Sequence, residues 1–181
     1  MNVTIRSTTI LGVRKKGRIA LGGDGQVTMG DMAVKQKAVK VRKFETDTGC
    51  VLGGFAGAAA DALNLFEKFE SKLDEYDGNL QRSVVELAKE WRTDKYLRHL
   101  DALLALMDKK SAFILSGDGN VIEPDGPILA IGSGGGFAQA AATAYLENPS
   151  LTAKDIVEKS LLIASELCIY TNNSITVLEV K

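Results

Sequence analysis

The sequence predicts an α+β fold in which two β-sheets face each other and pairs of helices cover their outer surfaces. Three observations point there. The first third alternates short apolar stretches with Gly-centred turns. Two amphipathic helical stretches then follow one another. The order strands, two helices, strands, two helices, strand runs to the end. Runs of one element type favour separate layers over alternating βαβ units. Facing sheets with helix pairs outside bury all four helical stripes. At 181 residues and 45% hydrophobic, the chain suits one domain with a sizeable core.

The elements follow in order. Residues 8–14 and 18–23 read as strands around Lys15-Lys16-Gly17. Gly17 and Gly23-Asp24-Gly25-Gln26 supply turn chemistry, because glycine tolerates positive φ. Residues 39–44 and 50–55 flank Thr46-Asp47-Thr48-Gly49, a hairpin signal. Then the period changes to helical. Ala62, Leu65, Phe66, Phe69 and Leu73 form one stripe, and Val84, Leu87, Ala88 and Trp91 a second. Both stripes read as core-facing. Residues 102–107 have helix-favouring Leu and Ala, but the turn at Asp108-Lys109-Lys110 and the apolar 112–115 make them a strand. Residues 128–131 form a short buried strand before Gly132-Ser133-Gly134-Gly135-Gly136. A helix covers about 137–146. The next starts near Thr152, an N-cap with Asp155 three residues on, and its stripe is Val157, Leu161, Ala164 and Cys168. Residues 174–180 read as the last strand. The segment 19–27 also echoes 113–121: each is an apolar strand, a Gly-Asp-Gly turn and a β-branched restart.

Composition narrows the chemistry. A net charge of -1 gives no electrostatic footprint for nucleic acid. No apolar run approaches the roughly 20 residues that span a bilayer. The start MNVTIRS lacks the apolar segment of a signal peptide. The two cysteines, Cys50 and Cys168, are too few for a disulfide framework. A cytoplasmic protein with reduced thiols is expected. The single histidine, His99, sits in a charged stretch. Zinc sites and His-based triads are therefore disfavoured, and a nucleophile here needs another base. The Gly132–Gly136 run can cradle an anion before a helix. It lacks the Gly-Lys-Ser/Thr ending of a P-loop, and its glycines equally suit a close backbone approach. Asp24 alone is a turn residue, Lys40 one of several basic side chains, and Thr8-Thr9 ordinary strand-formers. Their combination with the later Gly53-Gly54-Phe55-Ala56-Gly57 is what raises them to candidates.

Those residues carry a resemblance. Thr8-Thr9-Ile10, Gly23-Asp24-Gly25-Gln26, Lys40-Val41-Arg42-Lys43, Gly54-Phe55-Ala56-Gly57, Ala60-Asp61-Ala62, the segment 86–94 (ELAKEWRTD), Ala130-Ile131-Gly132-Ser133-Gly134-Gly135 and Cys168-Ile169-Tyr170-Thr171-Asn172 occur in order. Together they resemble the HslV (ClpQ) family of bacterial peptidases, relatives of proteasome β-subunits. The resemblance implies the four-layer αββα sandwich of N-terminal nucleophile hydrolases. It implies a threonine-type endopeptidase whose nucleophile is Thr8, exposed by removing residues 1–7, so that 8–181 form the peptidase domain. The α-amine of Thr8 is then the base. Lys40 is expected to lower the pKa values of that amine and hydroxyl, Asp24 to hold Lys40, and Ser133 to bond near the amine. The N–H of Gly54 is expected to stabilise the oxyanion, which would give Gly53 and Gly54 a reason: close approach of substrate backbone.

The resemblance also implies a sodium ion on the backbone carbonyls of Ser165, Cys168 and Thr171. No organic cofactor is expected. The expected partners are an HslU (ClpY)-type hexameric AAA+ ATPase, which feeds unfolded proteins and activates the peptidase allosterically, and further copies of the chain in a double ring of hexamers. The chain departs from the family in three places. Seven residues precede Thr8 where relatives often have only Met. The hairpin around 46–49 is longer than usual, and Ser165 stands where glycine is common. Self-cleavage, trimming by another protease or a misassigned start all remain open, and trimming one residue short would make Ser7 the nucleophile. A non-catalytic or unprocessed ring subunit and a small-molecule amidohydrolase on the same fold are the alternatives.

Overall fold

The structure is a computed structural model that describes residues 5–6, 8–57, 59–95, 97 and 102–181, with the side chains of 5, 6 and 59–62 outside the description. His99 and most of the leader, Met1–Ser7, lie outside the described residues, as does the Ala62 side chain.

The chain forms β1 (Ile5–Arg6), β2 (Thr9–Lys15), β3 (Arg18–Gly23), β4 (Val27–Met29), β5 (Met32–Lys35), β6 (Val41–Thr46) and β7 (Gly49–Ala56). Helices α1 (Ala59–Glu75) and α2 (Leu80–Thr93) follow. Then come β8 (Leu103–Met107), β9 (Ala112–Ser116), β10 (Val121–Ile122) and β11 (Ile128–Gly132). Helices α3 (Gly135–Leu146) and α4 (Ala153–Leu167) precede β12 (Thr176–Val180). One sheet has the order β11-β2-β3-β12, the second β10-β9-β8-β7-β6, and a small third sheet β1-β4-β5.

Side-chain alternation explains the layering. Ile10, Leu21 and Ile131 point from the first sheet toward Leu52, Ala105 and Met107 of the second. Leu11, Val13 and Ala20 point the other way, onto Val157, Leu161 and Ala164 of α4 and Ala138 of α3. On the far side, Phe44, Phe55 and Leu106 meet Phe66 and Phe69 of α1 and Leu87 and Trp91 of α2. The layer order is thus helices, sheet, sheet, helices, the αββα sandwich expected.

Local signals behave as their chemistry dictates. Lys16 and Gly17 both have positive φ, 50° and 75°, which is the two-residue hairpin turn matched to strand twist. Thr152 caps α4: its side chain accepts from the N–H of Asp155, whose carboxylate accepts in return from the Thr152 N–H. Residues 103–107 are a strand as expected, because β8 lies between β7 and β9 and is buried on both faces. The hairpin β4–β5 was not foreseen. All four residues of β5 are exposed, so it lacks the buried face that makes a strand readable.

The glycines at 53 and 54 have a packing reason rather than the expected one. A Cβ on Gly53 would sit 2.7 Å from the Phe44 ring and 3.2 Å from Phe66. One on Gly54 would sit 2.7 Å from Ile10 Cγ2. Both faces of β7 are closed by side chains there, one toward α1 and one toward the facing sheet.

Candidate active site

Thr8 stands immediately before β2, the inner strand that pairs with β3 and β11. Its backbone φ is 128°, a region that a β-branched residue rarely adopts and that stores strain. Two contacts hold it there. The N–H of Ser133 donates to the Thr8 carbonyl at 3.0 Å. Gly132, at φ 89°, passes so close that a Cβ would sit 2.0 Å from that oxygen. The glycine run after β11 is therefore a close backbone approach. Thr8 itself is fully buried, and among the described residues its Oγ1 has no hydrogen-bond partner. A buried hydroxyl left unsatisfied costs about 1–3 kcal/mol and calls for a functional reason.

Asp24 follows β3 and is fully buried. Its Oδ1 accepts from the Thr9 N–H at 2.8 Å and from Lys40 Nζ at 3.0 Å. Its Oδ2 accepts from the N–H groups of Gln26, at 2.9 Å, and Asn172, at 3.3 Å. Four donors converge on one carboxylate and fix its position. Lys40 also donates to the Gln26 carbonyl at 2.5 Å. The Lys40 and Asp24 side chains are only 1% and 0% exposed. Burial pushes the Lys40 ammonium below its ordinary value, and the Asp24 charge and hydrogen bond work against that shift.

Further contacts tie the cluster to the loop after α4. Thr9 Oγ1 lies 2.7 Å from Thr171 Oγ1 and accepts from the Gly134 N–H at 3.0 Å. Gln26 Nε2 donates to the Ile169 carbonyl at 2.8 Å. Asn172 Oδ1 accepts from Gly25 N–H at 3.0 Å. Thr9, Gln26 and Asn172 are thus parts of the site that sequence reasoning did not single out. Their signal was only their place inside matched motifs.

The expected residues divide as follows. Thr8, Asp24, Lys40 and Ser133 are brought together, Ser133 through its backbone with its side chain exposed. Gly54 sits in mid-strand, opposite Val41 of β6 and Ala105 of β8. Ser165 lies in the last turn of α4, Cys168 caps that helix, and the Thr171 N–H donates to the Cys168 carbonyl at 3.0 Å. Terminal helix carbonyls lack intrahelical partners and carry partial negative charge. The donor set, backbone oxygens at a helix C-terminus, fits a hard monovalent cation. Beside Lys40, a cavity of about 310 Å³ is lined by Val27, Val41, Phe55, Leu63 and Phe66, with Lys35 and Arg42.

A strained threonine at the start of an inner strand, bonded through its neighbour to a buried Asp–Lys pair between two facing sheets, defines an N-terminal nucleophile sandwich of the proteasome type. The profile of the family described as proteasome subunit matches residues 5–180, and the chain belongs to that family. The ATP-dependent protease subunit HslV of Aquifex aeolicus (strain VF5) is 54% identical over 176 residues, covering 97% of this chain and 99% of that protein. The crystal structure of eukaryotic HslV from Trypanosoma brucei matches with a TM-score of 0.87 at 43% identity, covering 94% of this chain and 98% of that one. Thiobacillus denitrificans BPH in complex with epoxomicin has the same fold, with a TM-score of 0.74 at 22% identity over 96% of this chain and 98% of that one.

Proposed function

We propose that this chain is the threonine-peptidase subunit of a two-component ATP-dependent protease, with Thr8 as the nucleophile after removal of residues 1–7. The observation that carries the reading is the buried Thr8 Oγ1, which has no hydrogen-bond partner among the described residues, one residue upstream of the Thr9 N–H that binds Asp24 of the buried Asp24–Lys40 pair. The relation to HslV supports it.

While Ser7 is attached, the Thr8 nitrogen is an amide without basicity. Cleavage of the Ser7–Thr8 bond gives an α-amine with a reference pKa of about 7.7–8. That amine takes the Thr8 hydroxyl proton as Oγ1 attacks the scissile carbonyl. The tetrahedral intermediate collapses to an acyl-enzyme, and the proton passes to the leaving amine. Water, deprotonated by the same α-amine, then releases the acyl group. Lys40 supplies fixed positive charge that favours the neutral amine and the developing alkoxide. Asp24 locates Lys40, and Ser133 holds the Thr8 carbonyl.

A sodium ion on the carbonyls of Ser165, Cys168 and Thr171 would stiffen the loop that carries Thr171 and Asn172, and through them Thr9 and Asp24. The chain works in the cytoplasm as a double ring of hexamers, and an HslU-type AAA+ hexamer feeds it unfolded protein. The test is peptide hydrolysis by a form that begins at Thr8, alone and with an HslU-type ATPase plus ATP. Weak activity that rises severalfold with the partner is expected. Absence of hydrolysis under both conditions overturns the peptidase reading and favours a non-catalytic ring subunit. Hydrolysis of small amides without cleavage of unfolded protein favours an amidohydrolase.

A further inference from the structure

Residues 24–26 lie between the end of β3 and the start of β4 and belong to no strand. No sheet ladder therefore orients the main chain of Gln26, yet both of its main-chain groups touch the buried charge pair. Its N–H donates to Asp24 Oδ2 at 2.9 Å, and its carbonyl accepts from Lys40 Nζ at 2.5 Å. Lys40 Nζ also donates to Asp24 Oδ1 at 3.0 Å. An ammonium has three N–H groups. With two of them aimed, the direction of the third is set. The Gln26 side chain makes two further contacts: Nε2 donates to Thr28 Oγ1 at 2.9 Å and to the Ile169 carbonyl at 2.8 Å. Gln26 is only 8% exposed, and burying an amide is costly unless it is bonded. The turn alone does not call for this reach. After the echoing turn Gly117-Asp118-Gly119, the matching residue Asn120 is exposed and donates to Asp118 of its own turn.

We infer that Gln26 is a positioning residue for Lys40: its side-chain amide, anchored on the Ile169 carbonyl, holds the residue 26 peptide so that its carbonyl fixes the aim of the Lys40 ammonium. The inference rests on the roles proposed for Thr8 and Lys40. It goes beyond them by tying the alignment of Lys40 to the loop after α4, 143 residues from Gln26 in the chain. Gln26 acts through Lys40 and not on the reacting atoms. Val27, the next residue, lines the cavity beside Lys40. A Gln26 that merely supported the wall of that cavity would act on substrate binding instead, so the two roles part in kcat and KM.

The test uses the assembled form beginning at Thr8 and compares wild type with Gln26→Met, which keeps the length of the side chain and loses both donors. The kcat for peptide hydrolysis should fall at least about tenfold, since a displacement on the order of 1 Å at a reacting centre costs up to about 100-fold. KM should stay within about twofold. The falling limb of the pH profile should move to lower pH, because an ammonium that loses an acceptor gives up its proton more readily. Gln26→Asn draws the amide back by one C–C bond, about 1.5 Å, and keeps a polar group in the turn. It should show the same kind of kcat loss to a smaller degree, and it decides the question if the Met variant fails to assemble. Thr28→Val removes one acceptor, leaves the Ile169 contact, and should lose less than about threefold. An unchanged kcat and pH profile, or a rise in KM alone, overturns the inference and leaves the peptidase reading standing. A loss in Thr28→Val as large as that in Gln26→Met also overturns it, because the brace would then lie within β4. Wild type without hydrolysis overturns the peptidase reading and the inference with it, since Lys40 would have no nucleophile to serve.

Discussion

Thr9 and Asp24 hold each other in both directions: the Thr9 N–H donates to Asp24 Oδ1 at 2.8 Å, and the Asp24 N–H donates to the Thr9 carbonyl at 3.2 Å. This reciprocal pair joins the first residue of β2 to the turn after β3. It sets the position of Thr8, one residue upstream, against the carboxylate that also holds Lys40. The geometry of the candidate nucleophile is therefore a consequence of strand pairing.

Replacement of the nucleophile separates processing from trimming. Thr8→Ala should abolish hydrolysis while leaving the fold intact, because the Oγ1 it removes has no hydrogen-bond partner to lose among the described residues. If the chain cuts itself, intact mass will show the variant keeping residues 1–7 and the wild type losing them. Loss of the leader from both would assign the cut to another protease. A wild type that keeps the leader would mark an unprocessed subunit.

Removal of the lysine leaves a buried carboxylate without its counter-charge. Lys40→Met should cost about 3–5 kcal/mol of stability, since both partners of the pair are almost fully buried. Urea unfolding of the variant measures this. The double variant Lys40→Met with Asp24→Asn should recover part of the loss, because the two positions are directly coupled.

Activity should follow a bell-shaped pH profile. The rising limb belongs to the Thr8 α-amine, which must be neutral to act as base. The falling limb belongs to Lys40, which must keep its proton. Burial lowers the Lys40 value below the 10.5 of a free lysine, so the decline sets in at a pH lower than an exposed lysine would give. Lys40→Arg, where it keeps measurable activity, should push the falling limb upward, since guanidinium holds its proton. A falling limb unmoved by this change would remove Lys40 from that role.

Two glycines four and six residues past Ala130 should respond oppositely to alanine. Gly134→Ala drives a Cβ to 2.3 Å from Thr9 Oγ1 and 2.7 Å from Thr171 Oγ1. It should destabilise by about 1–3 kcal/mol and lower activity by shifting Thr9. Gly136 lies in α3 with nothing within 4 Å of its added Cβ. Gly136→Ala should be neutral or stabilise by up to about 1 kcal/mol. Thermal unfolding and kcat/KM of both variants check the contrast.

Much of this was readable in the sequence, and the limits have physical causes. Strands buried on both faces announce themselves as short continuous apolar runs, as in Ile10-Leu11-Gly12-Val13, where successive side chains serve two different cores. Helices announce themselves by stripes, as in Leu65, Phe66, Phe69 and Leu73. The capping box at Thr152 and Asp155 is local, so its letters suffice. The Gly-Asp-Gly turns at 23–25 and 117–119 show where letters stop. Asp24 is buried and accepts four hydrogen bonds, whereas Asp118 is exposed and its carboxylate accepts from Ser116 and Asn120 of its own turn. Nothing within either segment distinguishes them. The layer order, the element types and the identity of Thr8, Asp24 and Lys40 as candidates were settled by sequence, because periodicity and motif are local properties of the chain. The strain at Thr8, the convergence on Asp24, the link from Gln26 to Ile169 and the pairing of Ile5 and Arg6 with β4 were decided only by tertiary structure. Each depends on segments far apart in the chain meeting at one point, and such a meeting has no local signature.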